Sequence, residues 1–380
     1  MTPTPTEDFC DGGYYVLDNA GSLNRVGNPP EIVSSLFFGD DVARDLERAD
    51  ATRCGGGEDL VMLDKFGIAT FAANDSCNID QYFYFPESSE FPEGRAVDLV
   101  MSGDSQGFWV LTDYGRIYRA GSAMVSGQPA KLVIPAIDGM LGWDIPTPLY
   151  HPSLPDARTR GASLRAVSLI VIDLDADSQA DGYLVFDSQG ARYQVNPDGT
   201  LVLPGTYTGM IPELPANHPY YLLDPAAYAW PFFPGLDILR DAELFPGTNE
   251  GLVIFDGWGG IHPVPVDATS SAVFYARNDD FNQPGDLLTT VGMPYIIWGF
   301  DDPATPVDES VGVDASSIFI DFEFSPGCPE SGFWTLDRFG AVFCFGSVRS
   351  DPANISSPFA GGPYLFPFPS MVGLEVFEQK

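Results

Sequence analysis

One short phrase recurs six times along this chain, and it constrains the fold more than any other feature. The copies read GYYVLDNAGSLNRVG from Gly13, DLVMLDKFGIATFA from Asp59 and GFWVLTDYGRIYRAG from Gly107. They continue as GYLVFDSQGARYQV from Gly182, GLVIFDGWGGIHPV from Gly251 and GFWTLDRFGAVFCFG from Gly332. Each is an apolar run, a D-x-x-G-like turn and a second apolar run, which is the pattern of a β-hairpin. The turn glycines Gly21, Gly67, Gly115, Gly190, Gly259 and Gly340 are expected at φ > 0 in three- to four-residue loops. Self-similarity over tens of residues is the mark of a repeat architecture.

A strand precedes most hairpins: VARDLERA near Asp45, RAVDLVM near Asp98, RAVSLIVI near Ser168, LRDAELF near Asp241 and IFIDFEF near Asp321. Before it stands an aromatic run: LFF at Leu36, YFYF at Tyr82, PLY at Pro148, WPFF at Trp230, YIIW at Tyr295 and YLFPF at Tyr364. The unit therefore reads as four strands. The apolar runs do not alternate strictly, as expected when both faces of a sheet are covered. Only five preceding strands stand in the usual order; the sixth copy is MVGLEVFE, from Met371. The expectation is an all-β, six-bladed β-propeller with four antiparallel strands per blade, closed by the C-terminal strand beside the first hairpin. Residues 1–9 form an extended tail, and residues 10–380 form one domain with hairpins near 13–27, 59–72, 107–121, 182–195, 251–264 and 332–346. The 40 glycines and 34 prolines suit many short strands joined by turns. Successive turn glycines lie 46, 48, 75, 69 and 81 residues apart, so the later repeats carry insertions.

The Gly107 and Gly332 copies resemble the G-Y-W-L-V-x-x-D-G-G-I-F-x-F-G repeats of secreted bacterial cell-surface propellers. That resemblance implies a non-catalytic protein attached to a surface or cell wall.

The formal charge is −35, with only three lysines, Lys65, Lys131 and Lys380. Non-specific nucleic-acid binding is excluded, because phosphate needs a basic surface. Docking on anionic lipid is disfavoured for the same reason. No apolar run is long enough to span a bilayer, so no membrane insertion is expected. An acidic, lysine-poor surface suits high salt, a calcium-rich exterior or simple solubility. The opening MTPTPTEDFC lacks a charged-then-apolar signal and reads as a semi-rigid linker or a processed terminus.

The sharpest chemical motif is VIDLDADSQADGYLVF. Asp173, Asp175, Asp177 and Asp181 fall at positions 1, 3, 5 and 9 of a loop, with Gln179 at position 7 able to offer a backbone carbonyl. Calcium takes six to eight hard oxygens, and alternate residues of a tight loop point inward together. Four carboxylates this close repel one another without a cation. The pattern resembles the D-x-D-x-D-G-x-x-D calcium loops of integrin-type FG-GAP propeller blades, with Ser178 where glycine is usual. The expected calcium is structural; a solvated acidic turn is the plainer alternative.

Cys54 and Cys77 are placed at one end of the second repeat and could form a disulfide. Cys328 could pair with Cys344 or with Cys10, leaving one thiol to link subunits or to stay buried and free. The residue before the turn glycine is Phe66, Tyr114, Trp258 or Phe339 in four repeats, a candidate aromatic face for sugars or for another subunit. Folding down onto the adjacent blade is the structural alternative. SGDSQGFW at Ser102 resembles the S-x-D-x-G-x-x-W box of sialidases, which is structural. No G-x-S-x-G, H-E-x-x-H or phosphate-binding glycine loop occurs. His262, on a repeat strand, reads as packing.

These features favour a non-enzymatic, extracellular or cell-surface structural or adhesive protein that self-assembles or meets another surface protein. A carbohydrate-binding propeller is the first alternative. A calcium-dependent hydrolase is the second, with Asp279, Asp280, Asp286, Asp301 and Asp302 as its carboxylate source.

Overall fold

The computed structural model describes residues 13–32, 37–50, 58–72, 95–113, 115, 117–123, 132–134, 165–173, 180–188, 190, 192–195, 197, 237–244, 251–257, 259–265, 319–324, 332–340, 342–346 and 371–377. All the described regular structure is β-strand. In chain order the strands are β1 (Gly13–Asp18), β2 (Leu23–Gly27), β3 (Ala43–Asp50), β4 (Glu58–Asp64), β5 (Ala69–Phe71), β6 (Ala96–Met101), β7 (Gly107–Thr112), β8 (Ile117–Gly121), β9 (Leu132–Ile134) and β10 (Ala166–Ile172). They continue as β11 (Gly182–Asp187), β12 (Arg192–Val195), β13 (Leu239–Leu244), β14 (Gly251–Asp256), β15 (Ile261–Pro265), β16 (Phe319–Phe324), β17 (Gly332–Asp337), β18 (Val342–Gly346) and β19 (Met371–Phe377).

The turn chemistry explains the hairpins. Asp18 Oδ1 accepts the N–H groups of Ala20 at 2.9 Å and Ser22 at 2.8 Å. Asp64 repeats this with Phe66 and Ile68. Such an Asx turn satisfies backbone donors that a tight reversal would otherwise orphan. The last turn residue donates back to the aspartate carbonyl, as Gly21 does to Asp18. All six turn glycines sit in the left-handed region, with φ between 79° and 91°, where a side chain is strained.

Six antiparallel sheets result: β19-β1-β2, β3-β4-β5, β6-β7-β8-β9, β10-β11-β12, β13-β14-β15 and β16-β17-β18. The C-terminal strand pairs with the first hairpin, Tyr14 opposite Val376 and Val16 opposite Leu374. Among the described residues five sheets show three strands and one shows four. The one fourth strand, β9, follows its hairpin and pairs on the far side of β8. It does not come from an aromatic run. Phe37 and Phe38 of the first such run lie in a non-strand loop, held by the Phe38 N–H donating to Ala20 carbonyl at 2.7 Å. The other aromatic runs lie outside the described residues.

Neighbouring sheets pack face to face. The middle strands β7 and β11 are buried along their whole length, which is why they lack alternation. Tyr15, Leu17, Leu46 and Met62 join the first two sheets. Val61, Leu99 and Val110 join the second and third, and Leu111, Leu169, Val185 and Ile254 the third, fourth and fifth. Phe255 meets Phe319 and Phe322, and Tyr14 meets Trp334.

The residue after each turn aspartate, or after its Thr112 counterpart, ties one sheet to the next through its carbonyl. Asn19 accepts from Ala43, Lys65 from Ala96, Asp113 from Ala166, Ser188 from Leu239, Gly257 from Phe319 and Arg338 from Met371, at 2.8–3.2 Å.

Candidate functional site

Each strand that receives one of these links carries a β-bulge at the same place. The register slips between Ala43 and Asp45, Ala96 and Asp98, Ala166 and Ser168, Leu239 and Asp241, and Phe319 and Asp321. In β19, Gly373 and Met371 flank the equivalent slip. A bulge re-aims the side chain that follows it. Here that side chain is Asp45, Asp98, Ser168, Asp241 or Asp321.

These side chains reach the neighbouring sheet. Asp45 Oδ1 accepts its own successor's N–H, Leu46, at 2.8 Å, while Oδ2 accepts Leu99 N–H of the next sheet at 2.7 Å. Asp98 Oδ2 accepts Leu169 N–H at 2.5 Å. Asp241 Oδ1 accepts Ala242 N–H at 2.7 Å, and its carboxyl also bonds the backbone of Phe322. Asp321 accepts Phe322 N–H at 2.8 Å and, across the joint, Leu374 N–H at 2.6 Å. Ser168 Oγ donates to the Ala242 carbonyl at 3.3 Å. Gly373 has no side chain to reach β3, and an added Cβ would lie 3.3 Å from both Cβ and N of Leu46. That joint is instead tied two residues on, where Glu375 Oε2 accepts Arg48 N–H at 3.1 Å. Arg48 also pairs with Glu58 at 2.6 Å and lies 5.1 Å over the Phe377 ring.

Two residues after the latch position a second tier of acids follows: Glu47, Glu243, Glu323 and Glu375. Val100 and Ile170 occupy the other two places. The two tiers converge on a shared interior, because acids of non-adjacent sheets feel each other's charge. Asp241 is raised by Asp45, and Glu323 by Glu47 and Glu243. Burial is the first cause of every shift and like charge adds to it. Asp241 is pushed up to about 7 and Glu375 up to about 8. Glu47, Glu243, Glu323, Asp98 and Asp321 are driven well above the usual carboxylate range. Asp45 and Asp98 hydrogen-bond carboxyl to carboxyl, burial raises both, and the two share their protons as a pair. Among the described residues no three His, Cys, Asp or Glu side chains come together as a metal-ligand set.

Sequence reasoning read these strands only as fold elements. The available signal was Asp-x-Glu at one register in three repeats, Asp45 to Glu47, Asp241 to Glu243 and Asp321 to Glu323.

The residues singled out from sequence lie elsewhere. Asp173 and Asp181 stand at the neck of the β10–β11 connection, where Asp181 N–H donates to Ile172 carbonyl at 2.6 Å. Asp175, Asp177 and Gln179 fall outside the described residues. Phe66 projects from its turn, 40% exposed, with Lys65 Nζ 5.3 Å from the ring centroid. Phe339 is buried, 7% exposed, so the four aromatics do not form a uniform exposed ring. Tyr114 and Trp258 lie outside the described residues. So do Cys10, Cys54, Cys77 and Cys328; Cys344 lies in β18 opposite Trp334. Asp279, Asp280, Asp286, Asp301 and Asp302 and residues 1–9 are also outside. His262 lies in β15 opposite Ile254. The Ser102 box is a tight β6–β7 turn: Asp104 Oδ1 accepts Ser102 Oγ at 2.7 Å, Gln106 N–H at 2.9 Å and Ser122 Oγ at 2.7 Å. Ser105 takes φ 54° there.

No protein-family model matches the chain, and no curated protein sequence matches it. Among solved structures, the chain is similar to the β-propeller domain of Myceliophteria thermophila Cps50 (Swd1), at 9% identity, 89% coverage of this chain, 80% of that chain and a TM-score of 0.39. It is also similar to YCF48 from Cyanidioschyzon merolae, at 12% identity, 83% and 87% coverage and a TM-score of 0.32. Superpositions this loose transfer nothing about function.

Proposed function

We propose that the chain is a closed six-bladed β-propeller that serves as a rigid, non-catalytic scaffold at the cell exterior, assembling with copies of itself or with another surface protein. The observation that carries this reading is the doubling of every sheet-to-sheet joint. A backbone link crosses each joint at the turn end. A side-chain bond crosses it deeper inside, from Asp45, Asp98, Ser168, Asp241, Asp321 or Glu375. Taken in order, the links lead from the first sheet through the sixth and back to β19, which belongs to the first. Closure leaves no inner sheet edge to template aggregation. The raised carboxyls serve this framework, since a carboxyl kept protonated can sit in an acidic interior without a counter-ion.

The surface and export parts of the proposal rest on the cell-surface-type repeats. Calcium would be held by Asp173, Asp175, Asp177, Gln179 and Asp181, pinning the β10–β11 connection; the neck that sets Asp173 beside Asp181 suits a chelating loop. Negative-stain electron microscopy of the native protein, with calcium and after chelation, tests the reading. Ordered polymers or rings support it, and their loss on chelation assigns calcium to assembly. Isolated monomer-sized discs under every condition reject the assembly role and leave a ligand-binding propeller, glycan first, as the better account.

A further inference from the structure

The chain carries only 18 lysines and arginines against 53 acids, yet six of the cations gather at one end of the sheets. Arg95 and Arg165 immediately precede β6 and β10. Arg44 and Arg240 are the bulge residues of β3 and β13. Lys65 and Arg338 follow the turn aspartates of the second and sixth sheets. All six therefore stand where the receiving strands begin, beside the D-x-x-G turns, and five successive sheets contribute.

Their backbones are locked there. The Arg95 carbonyl accepts Asp113 N–H at 2.8 Å, and the Arg165 carbonyl accepts Ser188 N–H at 2.8 Å. The carbonyls of Lys65 and Arg338 are themselves sheet-to-sheet links. The side chains converge as well. Arg165 and Arg240, from different sheets, both reach Asp237 Oδ1 at 3.1 Å, two guanidinium groups on one carboxylate oxygen. Arg44 pairs with Asp41 at 2.7 Å, and Lys65 Nζ donates to the Asp41 carbonyl at 2.6 Å. Across the end, Arg165 is close enough to Arg338 to depress it further, after burial. The turn aspartates nearby are occupied with backbone donors, as Asp64 is with Phe66 and Ile68. Carboxylates stand among them, Asp41 beside Arg44, Asp113 beside Arg95 and Arg165, and Asp237 beside Arg165 and Arg240. Arg165, Arg240 and Arg338 still feel one another's charge, and their guanidinium forks match the geometry of a tetrahedral oxyanion.

We propose that this rim is a binding site for a phosphate or sulfate group, borne by a small molecule or by an acidic glycan. The site is independent of the scaffold reading and of the calcium loop, which belongs to the opposite end of β10.

The test is calorimetric titration of the full chain with inorganic pyrophosphate and inorganic sulfate, against chloride at equal ionic strength. Saturable binding is expected for the multivalent anions and not for chloride. Arg95→Gln and Arg165→Gln should each weaken it roughly tenfold, the loss of about one charge-assisted hydrogen bond. Arg165→Lys should fall between wild type and Arg165→Gln. Arg25→Gln, on the outer strand β2, should bind as wild type does. A sulfated polysaccharide binding far more tightly than the inorganic ions identifies the glycan source; equal affinity identifies a small ligand. Absence of saturation in the folded wild-type protein, or equal loss in Arg25→Gln, overturns the proposal. Both hydrogen bonds of Arg95 to Asp113 use its backbone, which Arg95→Gln keeps, so its variant keeps the test valid if Arg165 variants do not fold.

Discussion

Asp45 shows what one side chain does at a joint. One oxygen holds the N–H of its own strand and the other the N–H of the next. Asp45→Ala strands both donors, and a buried unmet donor costs about 1–3 kcal/mol. The urea midpoint of that variant should drop accordingly. Asp45→Asn keeps an oxygen for one donor and removes charge from a crowded acidic interior, so it should lose less, and least at alkaline pH. Equal losses in the two variants would show that the latch contributes nothing specific. The turn aspartates were legible in sequence because their job is local, serving donors two and four residues away. The latch aspartates were not, because their partners lie 54, 71 and 53 residues off for Asp45, Asp98 and Asp321.

Strands and turns were the most readable level. The hairpins, the strand before each and the pairing of the C-terminal strand with β1 all follow from the repeated pattern. The turn glycines carry a second constraint beyond their φ. At Gly259, with φ +86°, a Cβ would lie 2.9 Å from the Phe319 ring of the next sheet. Gly259→Ala should therefore lower stability by about 1–3 kcal/mol, strain and displaced packing together. Differential scanning calorimetry of that variant checks it, and an unchanged Tm would mean that the turn relaxes freely. At the first repeat Phe37 and Phe38, read as part of a strand, lie in a loop instead, because apolar aromatic runs have no period that separates a strand from a packed loop. Phe38 instead lies against the first turn, where a Cβ at Gly21 would come within 2.7 Å of its ring. The bulge left no sequence trace, since Arg, Val and Ile all occupy it.

The whole molecule gathers eight carboxyl groups, Asp45, Asp98, Asp241, Asp321, Glu47, Glu243, Glu323 and Glu375, into one interior, and its pH response follows. A carboxyl raised on folding favours the folded state while protonated. Its contribution is complete below the ordinary value near 4 and is lost as pH rises through the folded value. For Asp241 and Glu375 that loss runs up to about 7 and about 8. Stability against urea should thus fall as pH rises from about 4 to about 8. The same trend is expected from a net charge of −35, which salt screens. Asp241→Asn and Glu375→Gln separate the two causes: in high salt each should flatten the residual slope, and an unaltered slope would assign the dependence to the surface.

The sequence by itself determined the repeat unit, its hairpins and their turns, because each rests on contacts between residues close along the chain. It also determined the acid excess, as a matter of counting. The tertiary structure alone decided where that charge goes. Bringing six bulged strands together puts Asp-x-Glu tiers inside and a rim of arginines at their beginning. Neither arrangement exists within one repeat, since each needs side chains from sheets distant in sequence to meet.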